Sequence, residues 1–271
     1  MAQDSDSVAF ANAKRYPLKI KNAEGYIISA NIFGVPQTIS VIKFSPRKFS
    51  IKPIQPRTTT PVGEVGEEYE ADFAINACFW AVSKGIPTTF VKTDGVIMSK
   101  THWQSIPRVN GLLMMYKKKI DVVCSYDTPD YPSLAYKCDN IIASGPVLID
   151  DGKIVSYNYI LDSKEDMMVR QRPFFLRRHP RSAIGCNAKG EIFLVAVDGR
   201  FKGRAEGATI ANMAKLCKWM GMVDAINLDG GGSTTLWCKE YGVINHPCDN
   251  KKFDHEGSRK VSSSLIVKSR K

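Results

Sequence analysis

An α+β or α/β fold, built on a mixed, mostly antiparallel sheet with few covering helices, is predicted by three features of this sequence. Short β-branched runs recur along the chain, turn signals separate several of them at hairpin spacing, and one segment alone carries strong helical periodicity. With 271 residues, 44% of them hydrophobic and 24% charged, the chain can bury one sizeable core. No run reaches the roughly 20 apolar residues needed to cross a bilayer, so no membrane span is expected. The opening MAQDSDSVAF lacks the basic and apolar regions of a leader. A periplasmic or secreted location is therefore expected only if a signal peptide has been removed.

Residues 1–15 are polar and are expected to be disordered. YIISANIF and TISVIKF alternate as two strands, and residues 51–70 (IKPIQPRTTTPVGEVGEEYE), rich in Pro, Thr and Glu, read as a loop. Residues 16–70 are too few for a secure core of their own, so they are expected to pack on the main domain, 71–268, as added strands and loop. Within that domain Thr93-Asp94-Gly95, Asp150-Asp151-Gly152 and the NAKG of 187–190 sit between apolar runs as hairpin turns. From Gly207 to Met220, apolar residues Ile210, Met213, Ala214, Cys217 and Met220 recur at three- and four-residue spacings. This predicts a helix capped by Thr209 and ended by Gly221, with Cys217 in the core. VDAINL then reads as a buried strand, and a further short strand is expected around Leu236.

The most specific chemistry follows VDAINL, in Asp229-Gly230-Gly231-Gly232-Ser233-Thr234. Three glycines in a row allow positive φ and let a phosphate or sugar oxygen approach backbone N–H groups, so the segment reads as an anion nest with a carboxylate at its rim. A plain tight turn is the alternative. The segment lacks both the lysine of a phosphate-binding P-loop and the G-x-G-x-x-G spacing, which argues against a nucleotide fold. The formal charge of +11 favours polyanions in general and selects no chemistry.

Six segments in order, NACFW (76–80), ASGPVLIDDG (143–152), RHPRSAIG (178–185), VAVDGR (195–200), EGATIANMAKLCKWMGMVDAINLDGGGSTTLW (206–237) and RKVSSSLIV (259–267), resemble the phosphodiester glycosidase domain family. That family includes the enzyme that uncovers mannose 6-phosphate by removing N-acetylglucosamine from a phosphodiester, and bacterial envelope-associated relatives. The resemblance covers roughly residues 70–268. It implies a hydrolase acting on the glycosidic bond of a sugar-1-phosphate diester, with a phosphorylated carbohydrate as substrate. Ala77 and Cys78 stand where the family commonly has glycines.

Such a reaction needs carboxylates for the cationic sugar and cations for the departing phosphate. Asp229 and Asp198 both follow apolar strands, and Glu206 precedes the helix; these three are the candidate catalytic residues. Arg181 and Arg200 are the candidate phosphate ligands, because a planar guanidinium holds two phosphate oxygens in fixed geometry. Asn76 is a candidate for a sugar hydroxyl, Ser144 and Gly145 for backbone contacts, Gly230, Gly231, Gly232, Ser233 and Thr234 for the nest, and Arg259 for a contact from the last strand.

No cofactor or metal is expected, since His102, His179, His246 and His255 show no ligand spacing and the seven cysteines form no C-x-x-C pair. His179 adjoins Arg181, although a surface position is expected for it. Cys238 and Cys248 are the one nearby pair that could bridge. RQRPFFLRRHPR (170–181) reads as a basic loop beside a site for an anionic substrate, and nucleic acid is not expected as a partner. The rival function is a non-catalytic module that binds phosphorylated or acidic glycans.

Overall fold

The computed structural model describes residues 5–100, 107–124 and 137–270, so His102 lies outside the described residues. Three layers stack on one another. The central layer is an eight-stranded sheet in the order Arg15–Leu18, Ala23–Ile32, Val35–Phe44, Ile192–Val197, Arg181–Asn187, Met222–Asn227, Val147–Asp150, Lys153–Ile154. Two five-stranded sheets face one side of it. One runs Val96–Ser99, Val91–Thr93, Asn140–Ser144, Gly111–Met115, Ile120–Cys124; the other runs Gly242–Val243, Leu236–Cys238, Phe73–Asn76, Ser264–Ser269, Phe49–Ile54. The helices Ser5–Asn12, Asn158–Leu161, Asp166–Leu176 and Ile210–Trp219 cover the opposite side. The antiparallel character expected from the hairpin signals extends to every strand pairing among the described residues.

Burial on both faces explains why the central strands are apolar throughout. In Ile192–Val197, the side chains of Ile192, Leu194 and Ala196 enter the core between the sheets. Phe193, Val195 and Val197 enter the core beneath the helices, as strand periodicity requires. Truncating such a residue, as in Leu194→Ala, removes buried surface and leaves a void, at about 2–5 kcal/mol. The predicted helix forms over Ile210–Trp219, where Thr209 Oγ1 accepts from Asn212 N at 3.1 Å. Ile210, Met213, Ala214 and Cys217 all pack onto the sheet. Gly221, just beyond, has φ +85°, the left-handed turn that ends the helix. Among the described residues no helix is long and apolar enough to cross a membrane.

Three readings are corrected. Residues within the stretch expected to be disordered form the helix Ser5–Asn12, anchored because Phe10 is buried against Trp219 and Asp6 Oδ1 accepts from Phe33 N at 2.8 Å. The loop expected over 51–70 contains the end of strand Phe49–Ile54 and the helix Val62–Glu68. Pro53 misled because proline usually breaks strands; here it sits on an edge strand, where its missing N–H is tolerated. Gly66 lets that helix lie against Trp237, since a Cβ there would come 2.6 Å from the indole. The basic run of 170–181 is largely the helix Asp166–Leu176, which continues past Pro173 and buries Phe175 against Tyr157.

Candidate active site

Antiparallel pairing brings the chemistry to one end of the central sheet. Arg181 begins its strand opposite Val197, the last residue of the neighbouring strand, and Ala183 pairs with Asn227, the last residue of the strand on the other side. Arg200 and Asp229 therefore emerge beside Arg181. A cavity of about 230 Å³ at this end is lined by Arg108, Arg181, Arg200, Arg259, His179 and Asp229, with Gly230 and Gly231 as floor and Phe79, Trp80, Val82 and Phe174 as apolar wall. A larger groove of about 440 Å³ lies elsewhere, but two of its lysines are committed, Lys52 to Asp94 and Lys268 to Glu70.

The Asp229 loop is pinned by backbone: Asp229 N donates to Ala77 O, and Gly231 N to Pro180 O, both at 2.9 Å. Asp229 Oδ1 accepts from Gly230 N at 2.9 Å, and the Ser233 hydroxyl also bonds the carboxylate. Burial pushes the carboxyl above its ordinary range, while Ser233, Gly230, Arg108 and Arg259 pull it back. Of the amides expected to form a nest, the N–H groups of Gly230, Gly231, Ser233 and Thr234 are bonded within the protein. The glycines also serve close approach. A Cβ on Gly231 would stand 2.9 Å from an Arg200 nitrogen, and one on Gly232 would stand 2.4 Å from an Arg259 nitrogen. The cations of the site lie directly over bare backbone.

Each arginine is held differently. Arg181 is 1% exposed; its Nε donates to Ala208 O at 3.0 Å, and one terminal nitrogen to Phe174 O at 2.6 Å and Arg177 O at 3.1 Å. Burial draws its pKa down to about 9, which still leaves it charged at neutral pH. Arg259 is clamped by Asp249 at 2.5 and 3.1 Å, and that pairing holds its pKa up. Arg200, exposed and at φ +69°, donates among the described residues only to the soft Cys248 sulfur at 3.6 Å. Arg108 lies over the rings of Phe79 and Phe174, at 4.7 and 5.3 Å, and burial lowers its pKa while Asp229 raises it. His179 lines the cavity, contrary to the surface position expected. Burial, then Arg181, Arg200 and Arg177, push it down to about 4, so it is neutral at physiological pH.

Other candidates stand behind the cavity. Asp198 is fully buried, accepting from His246 N at 2.8 Å and Asn245 Nδ2 at 3.1 Å and pairing with His246 Nδ1 at 2.7 Å. It anchors the loop that carries Cys248 and Asp249. Glu206 Oε1 accepts from Gly203 N at 3.3 Å in a neighbouring turn, away from the cavity lining. Asn76 is a buried cross-tie: its amide donates to Asp229 O at 2.6 Å, and its oxygen accepts from Ser182 Oγ and Thr235 N. Ser144 Oγ donates to Asn227 O, and Gly145 O accepts from Asn227 Nδ2, both at 2.8 Å. Gly145 also permits the Arg108 backbone to come close, as a Cβ would lie 2.2 Å from Arg108 O. Gly232, Ser233 and Thr234 are buried beneath the floor. Ala77 and Cys78 join the core between the sheets, so their side chains leave the cavity unchanged. Cys238 and Cys248 are free thiols, one beside Glu240 and the other beside Arg200, and do not bridge. Among the described residues no cluster of His, Cys, Asp and Glu could hold a metal ion.

Comparison with known proteins adds to this geometry. The family model for phosphodiester glycosidase matches residues 69–268. A 75-residue stretch is 44% identical to N-acetylglucosamine-1-phosphodiester alpha-N-acetylglucosaminidase of Bos taurus, covering 28% of this chain and 13% of that protein. A 57-residue stretch is 42% identical to the SPbeta prophage-derived uncharacterized protein YomE of Bacillus subtilis (strain 168), covering 21% of this chain and 9% of that one. The chain thus matches only a small part of either relative's length. Among solved structures, the catalytic domain of the zebrafish N-acetylglucosamine-1-phosphodiester alpha-N-acetylglucosaminidase, auto-inhibited by its pro-peptide, superposes with TM-score 0.70 at 19% identity, over 97% of this chain and 91% of that one. A hypothetical protein from Synechocystis superposes with TM-score 0.73 at 16% identity, over 95% of this chain and 64% of that one. At these identities the likeness is one of fold.

Proposed function

Because the chain belongs to the phosphodiester glycosidase family, we propose that it hydrolyses the glycosidic bond of a sugar-1-phosphate diester, of which an N-acetylglucosamine-1-phosphodiester is the model substrate. The charge balance of the cavity carries this reading. Four arginines face a single carboxylate, and three of them, Arg108, Arg181 and Arg200, have no carboxylate salt bridge among the described residues. A site so short of negative charge suits a ligand that brings its own, and phosphate matches the guanidinium fork.

Breaking the C1–O bond leaves positive charge on the sugar and returns negative charge to the phosphate. The arginines stabilise that returning charge, most of all Arg200 and Arg259, which project over the glycine floor. A phosphate oxygen is a far weaker base than an alkoxide, so it leaves without protonation by a second carboxylic acid. One carboxylate then suffices: Asp229 opposes the cationic ring and accepts the proton of the attacking water. Its raised pKa suits a base, because the driving force for accepting a proton grows as pKa approaches the working pH.

The test is a panel of sugar-1-phosphate diesters, with phosphate monoesters and plain glycosides as controls. Release of free sugar and an intact phosphomonoester from diesters alone is the expected result. Tight binding of the same compounds without turnover would identify a binding module instead, and NMR of the anomer first released reports whether water attacks directly.

A further inference from the structure

Trp80 forms part of the cavity wall and also bonds a residue that holds the Asp229 carboxylate. It belongs to the short strand Trp80–Ala81, paired with Ile86–Pro87, and lies half-buried at the cavity edge. Its indole N–H donates to Ser233 Oγ at 3.3 Å, and the same hydroxyl bonds the Asp229 carboxylate. Indole can only donate and a hydroxyl has one proton. The indole N–H occupies one of the two lone pairs of the hydroxyl and orients it, with its single proton directed at Asp229. Trp80 lines the cavity together with buried Phe79 and with Val82, the latter 68% exposed. Cations line one part of the cavity and this apolar surface another, and a sugar-1-phosphate has the same division between a charged phosphate and the C–H face of its ring.

We propose that Trp80 is a dual-purpose residue: a platform for the sugar ring, and a positioning residue whose N–H fixes the Ser233 hydroxyl as a donor to Asp229. The proposal rests on the reading of Asp229 as the base. It separates into parts that different substitutions remove. Trp80→Phe keeps an aromatic face and deletes the N–H. Trp80→Leu deletes both. Ser233→Ala deletes the relay while leaving the indole in place.

The measurements are the titration of the Asp229 carboxyl by 13C NMR, identified by its loss in Asp229→Asn, the affinities of N-acetylglucosamine 1-phosphate and inorganic phosphate, and the pH profile of kcat/KM. In Trp80→Phe the Asp229 titration and the acid limb of the profile move to higher pH, and affinity for the sugar phosphate stays close to the parent's. In Trp80→Leu affinity for the sugar phosphate falls about fivefold, as expected for losing one stacked apolar face, while affinity for inorganic phosphate holds. Combining Trp80→Phe with Ser233→Ala shifts the titration no further than Ser233→Ala alone, because the N–H acts only through that hydroxyl. An unmoved Asp229 titration in folded Trp80→Phe, or additive shifts in the double variant, overturns the relay. Equal losses for both ligands in Trp80→Leu overturn the platform. Titration and binding decide both parts even if no diester is hydrolysed, so failure of the proposed reaction and failure of this inference are told apart.

Discussion

Replacing Asp229 with asparagine separates chemistry from structure more cleanly than any other change in this site. The side chain keeps its shape, and its Oδ1 can still accept from Gly230 N, the 2.9 Å bond that closes the loop on itself. The backbone anchors at Ala77 O, Pro180 O and Asn76 Nδ2 do not involve the carboxylate at all. On the proposed reading, what disappears is the charge opposing the sugar cation and the basicity toward water. Loss of a general base costs about 100-fold or more, which is roughly 2.7 kcal/mol of transition-state stabilisation. Stability moves the other way. The folded-state pKa of Asp229 lies above its ordinary value because burial penalises the charge. Its protonated form is therefore favoured by folding at low pH, and that contribution is lost as pH rises through the folded pKa. At neutral pH the ionised carboxylate is a net liability, so the asparagine variant should match or exceed the parent in Tm. The assay is single-turnover rate, Tm and affinity for a non-cleaved analogue on one preparation. A near-parental rate, or a drop in Tm that accounts for the lost rate, would refute the reasoning and make Asp229 a loop-forming residue.

The arginines should separate by how they are held. Arg181→Lys loses at least the Nε bond to Ala208 O, at about 1.5–3 kcal/mol, and urea unfolding should register it. Arg200→Lys, exposed and bonded among the described residues only to Cys248, should leave stability within about 0.5 kcal/mol yet weaken phosphate affinity measurably by calorimetry. His179, at about 4 against an ordinary 6.5, binds fewer protons when folded, so its contribution to stability falls as pH drops through that window. Phosphate bound to the neighbouring arginines should raise its pKa in an NMR titration, and an unmoved His179 would mean that the anion binds elsewhere. Gly232→Ala drives a methyl into the Arg259–Asp249 pair and should reduce kcat/KM with little change in the core; parental kinetics would show that Arg259 is dispensable.

How far the site was legible in the sequence depended on whether backbone or side-chain packing positions a residue. Asp229 follows an apolar strand and can be read from pattern alone, while Arg181 and Arg200 stand out by their chemistry within the matching segments; all three line the cavity. Asp198 has the same sequence context, yet its carboxylate turns inward to Asn245 and His246, residues nearly fifty positions away that no local pattern could identify. Asn76 likewise spends both ends of its amide on distant partners. Arg108 was missed because SIPRVNG has no periodicity; it is delivered by the close packing of its backbone on Gly145 and by the rings of Phe79 and Phe174. The adjacent aromatics Phe79 and Trp80, directly after the NAC of the first matching segment, were the available signal for the apolar wall. The glycine run does reach the cavity, where its lack of side chains lets the guanidinium groups of Arg200 and Arg259 come close.

The anchoring of the four arginines implies a division of labour that a single cationic patch would not have. Arg181 is fixed by three backbone carbonyls and Arg259 by a two-bond carboxylate clamp, so neither loses much rotamer freedom when a phosphate arrives. Arg181 has also spent much of its donor capacity, and acts mainly as a fixed buried charge that raises the potential of the cavity. Arg200 keeps most of its donors because a thiol is a weak acceptor. It is the guanidinium most able to follow the phosphate as the C1–O bond lengthens and charge returns to the oxygen. Stabilisation that grows along the reaction coordinate raises kcat, whereas the constant field of Arg181 holds substrate and transition state alike. On the proposed reaction, binding energy and catalytic energy would thereby fall to different arginines of one cavity.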